Sequence, residues 1–166
     1  MSASPALERN LCAALEADDF DGALVAINSV ARRLDDDPKA QKVLGVSSII
    51  QSDDRGLAAR LIAAHLADRP GQLQAWTKAL LAHDQLNVRD IGVMILPDLY
   101  PHQRKFVTAQ LLRFADDNWW VTRETAGDAA GRILNRHFAE FYPMLERWTQ
   151  HKSNRKTSAA PSPSPR

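Results

Sequence analysis

The sequence predicts an all-α fold, a right-handed α-α superhelix of about four helix pairs whose C-terminal repeat is truncated. Three observations predict it. Apolar residues recur at helical spacing almost throughout, and no strand-length run alternates with period two. Leu and Ala dominate the apolar set while Val, Ile, Thr and Tyr clusters are scarce, a bias toward helix over sheet. Helix breakers fall at regular intervals, and each stops one helix or opens the next.

Taken in order, these signals place helices near 5–17, 20–35, 38–51, 54–67, 71–83, 87–97, 102–115, 118–135 and 137–150. The second rests on Phe20, Ala23, Leu24, Ile27, Ala31 and Leu34, one continuous stripe. Asp37-Pro38 opens the third, and Arg69-Pro70-Gly71 separates the fourth from the fifth. Val88, Ile91, Gly92 and Ile95 line the sixth, which Pro97 stops; Tyr100-Pro101 opens the seventh. Ala126, Ala129, Ala130 and Ile133 line the eighth, and Phe138, Phe141, Tyr142 and Leu145 the ninth. Trp76 and Trp148 sit on apolar faces and read as core. Gly127 and Gly131, four apart, read as a point of close helix approach. A single domain over 1–160 follows, with divergent helices over 1–67 and clearer repeats over 70–160. The tail at 161–166, Pro-Ser-Pro-Ser-Pro-Arg, cannot continue a helix and reads as disordered.

Composition narrows the function classes. The chain has 166 residues, enough for one core or a short solenoid. Its one cysteine, Cys12, excludes an intramolecular disulfide and a Cys-rich zinc site. No apolar run approaches ~18 residues and no export pattern opens the chain, so the expectation is a cytoplasmic protein without membrane contact. Net charge is +1 but uneven: residues 1–37 carry eight acids against three bases, and residues 136–166 six bases against two acids. Such a gradient orients a molecule toward a polyanion, unless it is simply a solvated surface with a basic tail.

Three windows repeat: Leu80 to Asn87, Leu111 to Asn118 and Arg147 to Asn154. In each, bulky residues end a helix, a polar turn follows, and an Asn suited to N-capping the next helix comes seven places after the first residue. Basic residues follow soon after, at Arg89, Arg123 and Arg155-Lys156. Irregular two-helix units of roughly 30 to 45 residues are characteristic of HEAT-type arrays.

The stretch Asp116-Asp117-Asn118-Trp119-Trp120-Val121-Thr122-Arg123-Glu124-Thr125-Ala126, with Phe138 to Trp148 and Ser153-Asn154-Arg155-Lys156, resembles the HEAT-like repeats of bacterial DNA alkylation-repair proteins. The resemblance covers roughly residues 72–160. It implies an all-helical solenoid and, in some members, a glycosylase that excises alkylated bases from a duplex gripped in a basic groove. Thr122 interrupts the expected Val-Arg pair, and no hydrophobic residue separates Asn154 from Arg155. The last repeat also stops half-way, which leaves a shortened relative, a fragment or one half of a homodimer as readings.

Trp119 shares the face of Ala126 and is assigned to packing. Trp120, rotated ~100° away, falls toward Arg123 as an aromatic-basic pair for an unstacked base or a sugar-phosphate backbone. The alternative is that Trp120 packs on the adjacent repeat. By the resemblance, an Asp and tryptophans do the excision chemistry; Asp116 and Asp117 are the candidates here, though acids at a helix start are routine. Arg89, Arg123, Arg155 and Lys156, with Lys152, form a basic ridge for double-stranded DNA, or else pair with acids such as Asp90 and Glu124. The five histidines show no metal spacing, and neither metal nor cofactor is expected.

Two functions of different class remain open. The first is a non-catalytic HEAT-like binding module, with DNA or a protein as its partner. The second is a glycosylase-like enzyme acting on alkylated bases.

Overall fold

In the computed structural model, residues 4–35, 39, 41–42 and 46–158 are described, with side chains as far as Thr149. Among the described residues the fold is all-α but for one minimal ribbon. Helices run over Pro5–Glu16 (α1), Phe20–Asn28 (α2), Ser52–His65 (α3), Pro70–Leu81 (α4), Leu86–Leu99 (α5), Arg104–Ala115 (α6), Trp120–Arg136 (α7) and Phe138–Ser158 (α8). Two compact units divide the chain, Met1–Ala130 and Gly131–Arg166, so the boundary falls within α7.

Local chemistry accounts for the helix starts. Ser4 caps α1 through its side chain, which accepts from the Leu7 amide, and Pro5 follows at the first helical position. Asp19 caps α2 by accepting from the Gly22 amide at 2.9 Å. Pro70 opens α4 in the same preset conformation as Pro5. Asp18 takes φ 51° in the tight turn between α1 and α2, a conformation Asp tolerates better than most residues. There Arg69 donates to both its carboxylate oxygens, at 2.8 and 2.9 Å, and holds the Asp18 carboxyl below its ordinary value.

In the first unit, α1 packs on α2 and α3, and α5 packs on α3, α4 and α6. Helix α5 is central. Ten of its residues, from Asn87 to Leu99, are buried, and they cover most of its circumference. Each of its fully buried aliphatic side chains, Val88, Ile91, Val93, Ile95, Leu96 and Leu99, contributes about 1.5–3 kcal/mol relative to exposure. Gly92 permits the close fit with α4: a Cβ added there would lie 2.9 Å from Leu81 Cδ2 and 3.1 Å from Leu80 Cβ.

The structure corrects several expectations. The helix expected over 20–35 ends at Asn28, where the Ser29 hydroxyl donates to the Ala26 carbonyl at 2.7 Å, a local bond that competes with helix continuation. Residues 39, 41 and 42 are helical, but the helix expected over 38–51 does not reach residue 51, because Ser48–Ile49 (β2) pairs antiparallel with Arg32–Arg33 (β1). The branched residues Val46, Ile49 and Ile50 favour extended backbone there, and Ile50 is sealed at 1% exposure. Asp37-Pro38 lies outside the described residues. Pro97 does not stop α5, which continues to Leu99. Gly127 and Gly131 face open space, whereas Gly92 lies against the neighbouring helix α4.

In the second unit, α8 runs through Ser153-Asn154, so no turn separates Trp148 from Arg155 and the third repeat window has no hairpin. Phe141 is buried and meets Trp148 edge-on, with ring centroids 5.9 Å apart; Trp148 itself is half-buried.

Candidate functional site

The loop from Asp116 to Trp119 joins α6 to α7 and sets two indoles in different surroundings. The Asp117 carboxylate accepts from the Trp119 amide at 2.8 Å, and Arg123 Nη1 donates to the carbonyls of Asp117 and Asn118 at 2.7 and 3.1 Å. These bonds clamp the loop against the first turn of α7, which fixes the phase of that helix. Trp119 is 8% exposed and Trp120 47% exposed. The indole of Trp120 is thus the largest ring that the first unit presents to solvent.

Clamping occupies two of the charged groups of this loop and helix start. Asp117 is half-buried and committed to the loop backbone, while Asp116 is exposed beside it. The Arg123 guanidinium already serves two carbonyls as part of the clamp. Arg89 is half-buried with its Nε sealed and unpaired. Asn87, read from sequence as an N-cap, lies inside α5 after the cap residue Gln85. It is buried and donates from Nδ2 to the Ser48 carbonyl at 3.0 Å, tying the ribbon to α5. Lys152, Arg155 and Lys156 lie in α8 beyond the described side chains. Arg89 and Arg123 therefore do not form a row of free cations.

Behind this loop the structure brings together a charged cluster that sequence spacing did not reveal. Arg55 of α3 donates from Nη1 to Oδ2 of Asp90 on α5, and Thr122 of α7 donates to Oδ1 of the same carboxylate at 2.9 Å. Exposure is 7% at Arg55 and nil at Asp90 and Thr122. Burial pushes the Asp90 carboxyl up to about 6; Arg55 and the Thr122 hydroxyl pull it back down, and the Asp117 charge adds to the rise. Three helices from distant parts of the sequence are thus pinned to one carboxylate. Arg55 Nε and Trp119 Nε1 are also buried without a hydrogen-bond partner. The hint in sequence was Asp90 itself, an acid one residue before the apolar run from Ile91 to Leu96.

A shallow groove of about 330 Å³ lies between the ribbon and the start of α5, lined by Val46, Ser47, Ser48, Asp84, Gln85, Leu86 and Asn87. Among the described residues, no group of three or more His, Cys, Asp or Glu side chains is placed to hold a metal ion. No helix among them is long and apolar enough to cross a membrane. The chain matches no protein-family model, no curated protein and no solved structure.

Proposed function

We propose that this chain is a non-catalytic HEAT-like repeat module that binds double-stranded DNA, akin to the DNA alkylation-repair proteins its repeats resemble. The observation that carries the reading is Trp120. A ring exposed at 47%, on the first residue of α7 next to a loop held by three hydrogen bonds, is a rigid surface for an unstacked base or a sugar edge. Support for a row of helices comes from α1, α3 and α5 packing in succession, with α2 on α1 and both α4 and α6 on α5. A binding role without chemistry suits Asp117, whose carboxylate is committed to the Trp119 amide rather than left open to a sugar.

The test is fluorescence anisotropy with a labelled duplex containing a one-base bulge, alongside an assay for base release from a duplex carrying a 7-methylpurine. Binding should weaken roughly 5- to 100-fold in Trp120→Ala, the range expected for loss of one stacked base. No free base should appear. Base release abolished by Asp116→Asn would overturn the non-catalytic reading, and a wild-type protein that ignores the duplex would overturn the DNA reading.

A second reading has its own observation. Phe138 and Tyr142 on α8 are 60% and 42% exposed and stack with centroids 5.1 Å apart. Such a paired aromatic surface suits a protein partner, including a second copy of this chain.

A further inference from the structure

Helices α4 and α6 differ from the rest of the first unit in charge. Neither contains an acidic residue, and between them they carry Lys78, Arg104, Lys105 and Arg113, all exposed. By contrast α1, α2 and the turn between them carry Glu8, Glu16, Asp18, Asp19 and Asp21 against Arg9 alone. The two basic helices meet side chain to side chain, because Lys78 Nζ of α4 lies 5.4 Å from the Phe106 ring centroid of α6. On α6 the buried face is Val107, Leu111 and Phe114, so helical phase points Lys105 and Arg113 outward and turns Arg113 toward the α4 side. The Arg113 guanidinium carbon sits 5.0 Å from the centroid of the Phe114 ring, which leaves its N–H edges open to solvent-borne acceptors.

We infer that the face formed by Lys78, Lys105 and Arg113 contacts the phosphates of double-stranded DNA. The inference rests on the DNA-binding reading above and gives it a second contact surface, separate from Trp120. Three features select a duplex backbone over other polyanions. Lys105 and Arg113 are eight residues apart, about 12 Å of helix axis, close to the about 12 Å width of the B-DNA major groove. The rings on this face are not free: Phe106 is half-buried with Lys78 Nζ over it, and Phe114 is 1% exposed. No aromatic platform is therefore left for the bases of a single strand. Only Leu112, at 39% exposure, is a large apolar side chain on the outer surface of α6, too little to insert into a lipid layer. Phosphate recognition by point charges needs none of these things.

The experiment measures duplex affinity by anisotropy between about 50 and 200 mM salt. Three phosphate contacts give a log–log slope of about −3 and roughly a 40-fold loss of affinity across that range. In Lys78→Gln/Lys105→Gln/Arg113→Gln the slope should fall close to zero and low-salt affinity should drop at least about tenfold. The charge-preserving triple Lys78→Arg/Lys105→Arg/Arg113→Lys should keep the wild-type slope, which separates loss of charge from loss of fold. If the wild type binds and the glutamine triple keeps both slope and affinity, the inference is overturned while the DNA reading stands. If the wild type shows no affinity for the duplex at low salt, both are overturned.

Discussion

Thr122 and Asp90, 32 positions apart in the chain, share a hydrogen bond at 2.9 Å in a place that solvent does not reach. The other oxygen of Asp90 accepts from Arg55, so one carboxylate joins α3, α5 and α7. Removing it strands a buried guanidinium, which typically destabilises a fold by about 3–5 kcal/mol. Asp90→Ala should lower stability by that order in urea titration, whereas Thr122→Val should cost about 1–3 kcal/mol. An Asp90→Ala protein as stable as the wild type would mean that Arg55 finds water on its own.

The same carboxylate predicts a pH dependence. Its folded value of about 6 lies above the ordinary 3.8, so between these values the native state holds a proton that the unfolded chain has released. The Asp90 contribution therefore raises stability as pH falls from 7 through 6 toward 4, by about 1 kcal/mol per unit at most. Asp18 acts in the opposite sense: its lowered value gives stability that is present above 3.8 and lost as pH falls further. Urea midpoints of wild type and Asp90→Asn, compared from pH 7 to about 4.5, should diverge in favour of the wild type on acidification. Parallel curves would place the native Asp90 value near that of the unfolded chain.

Glycine substitutions should split by position. Gly92→Ala drives a methyl group into Leu81 and Leu80 and should destabilise by about 1–3 kcal/mol. Gly127→Ala and Gly131→Ala meet nothing within 4 Å and should each stabilise α7 by about 0.5–1 kcal/mol. Thermal unfolding followed by circular dichroism distinguishes the two classes by the direction of the Tm shift.

The adjacent tryptophans should separate stability from binding. Trp119→Ala empties a site that is 8% exposed and should cost about 3–5 kcal/mol. Trp120→Ala should stay within about 0.5 kcal/mol of the wild type in urea and show its effect on DNA affinity. A large stability loss in Trp120→Ala would place its ring in packing.

Helix identity was readable wherever one apolar stripe or one proline carried the signal. Pro70 heads α4 as its fixed φ requires, and the phase running back from Ala126 put Trp119 inward and Trp120 outward. Legibility failed where a tertiary partner decided the outcome. Leu34 kept the period of α2 on paper, yet it is buried beside the ribbon, its amide bonded to the Ser47 carbonyl. The asparagine windows suggested repeated caps, but Asn87 spends its amide on the Ser48 carbonyl and Asn154 falls within a continuous helix. Asp90 read as a rim partner because its enclosure depends on Arg55 and Thr122, neither of which is its neighbour in sequence. The acid-free face of α4 and α6 was a matter of composition by helix, and the charge gradient toward the chain ends obscured it.

The enclosure of Arg55 and Asp90 also constrains how this chain can diverge. Either residue alone is trapped, since a lone substitution abandons the opposite charge in a dry interior. A lineage that exchanged both for aliphatic side chains could arrive at an equally sound core, but only by crossing a poorly folded intermediate or by changing both codons together. The pair should accordingly travel as one inherited character: Arg55→Met with Asp90→Leu tolerated, and each single exchange selected against.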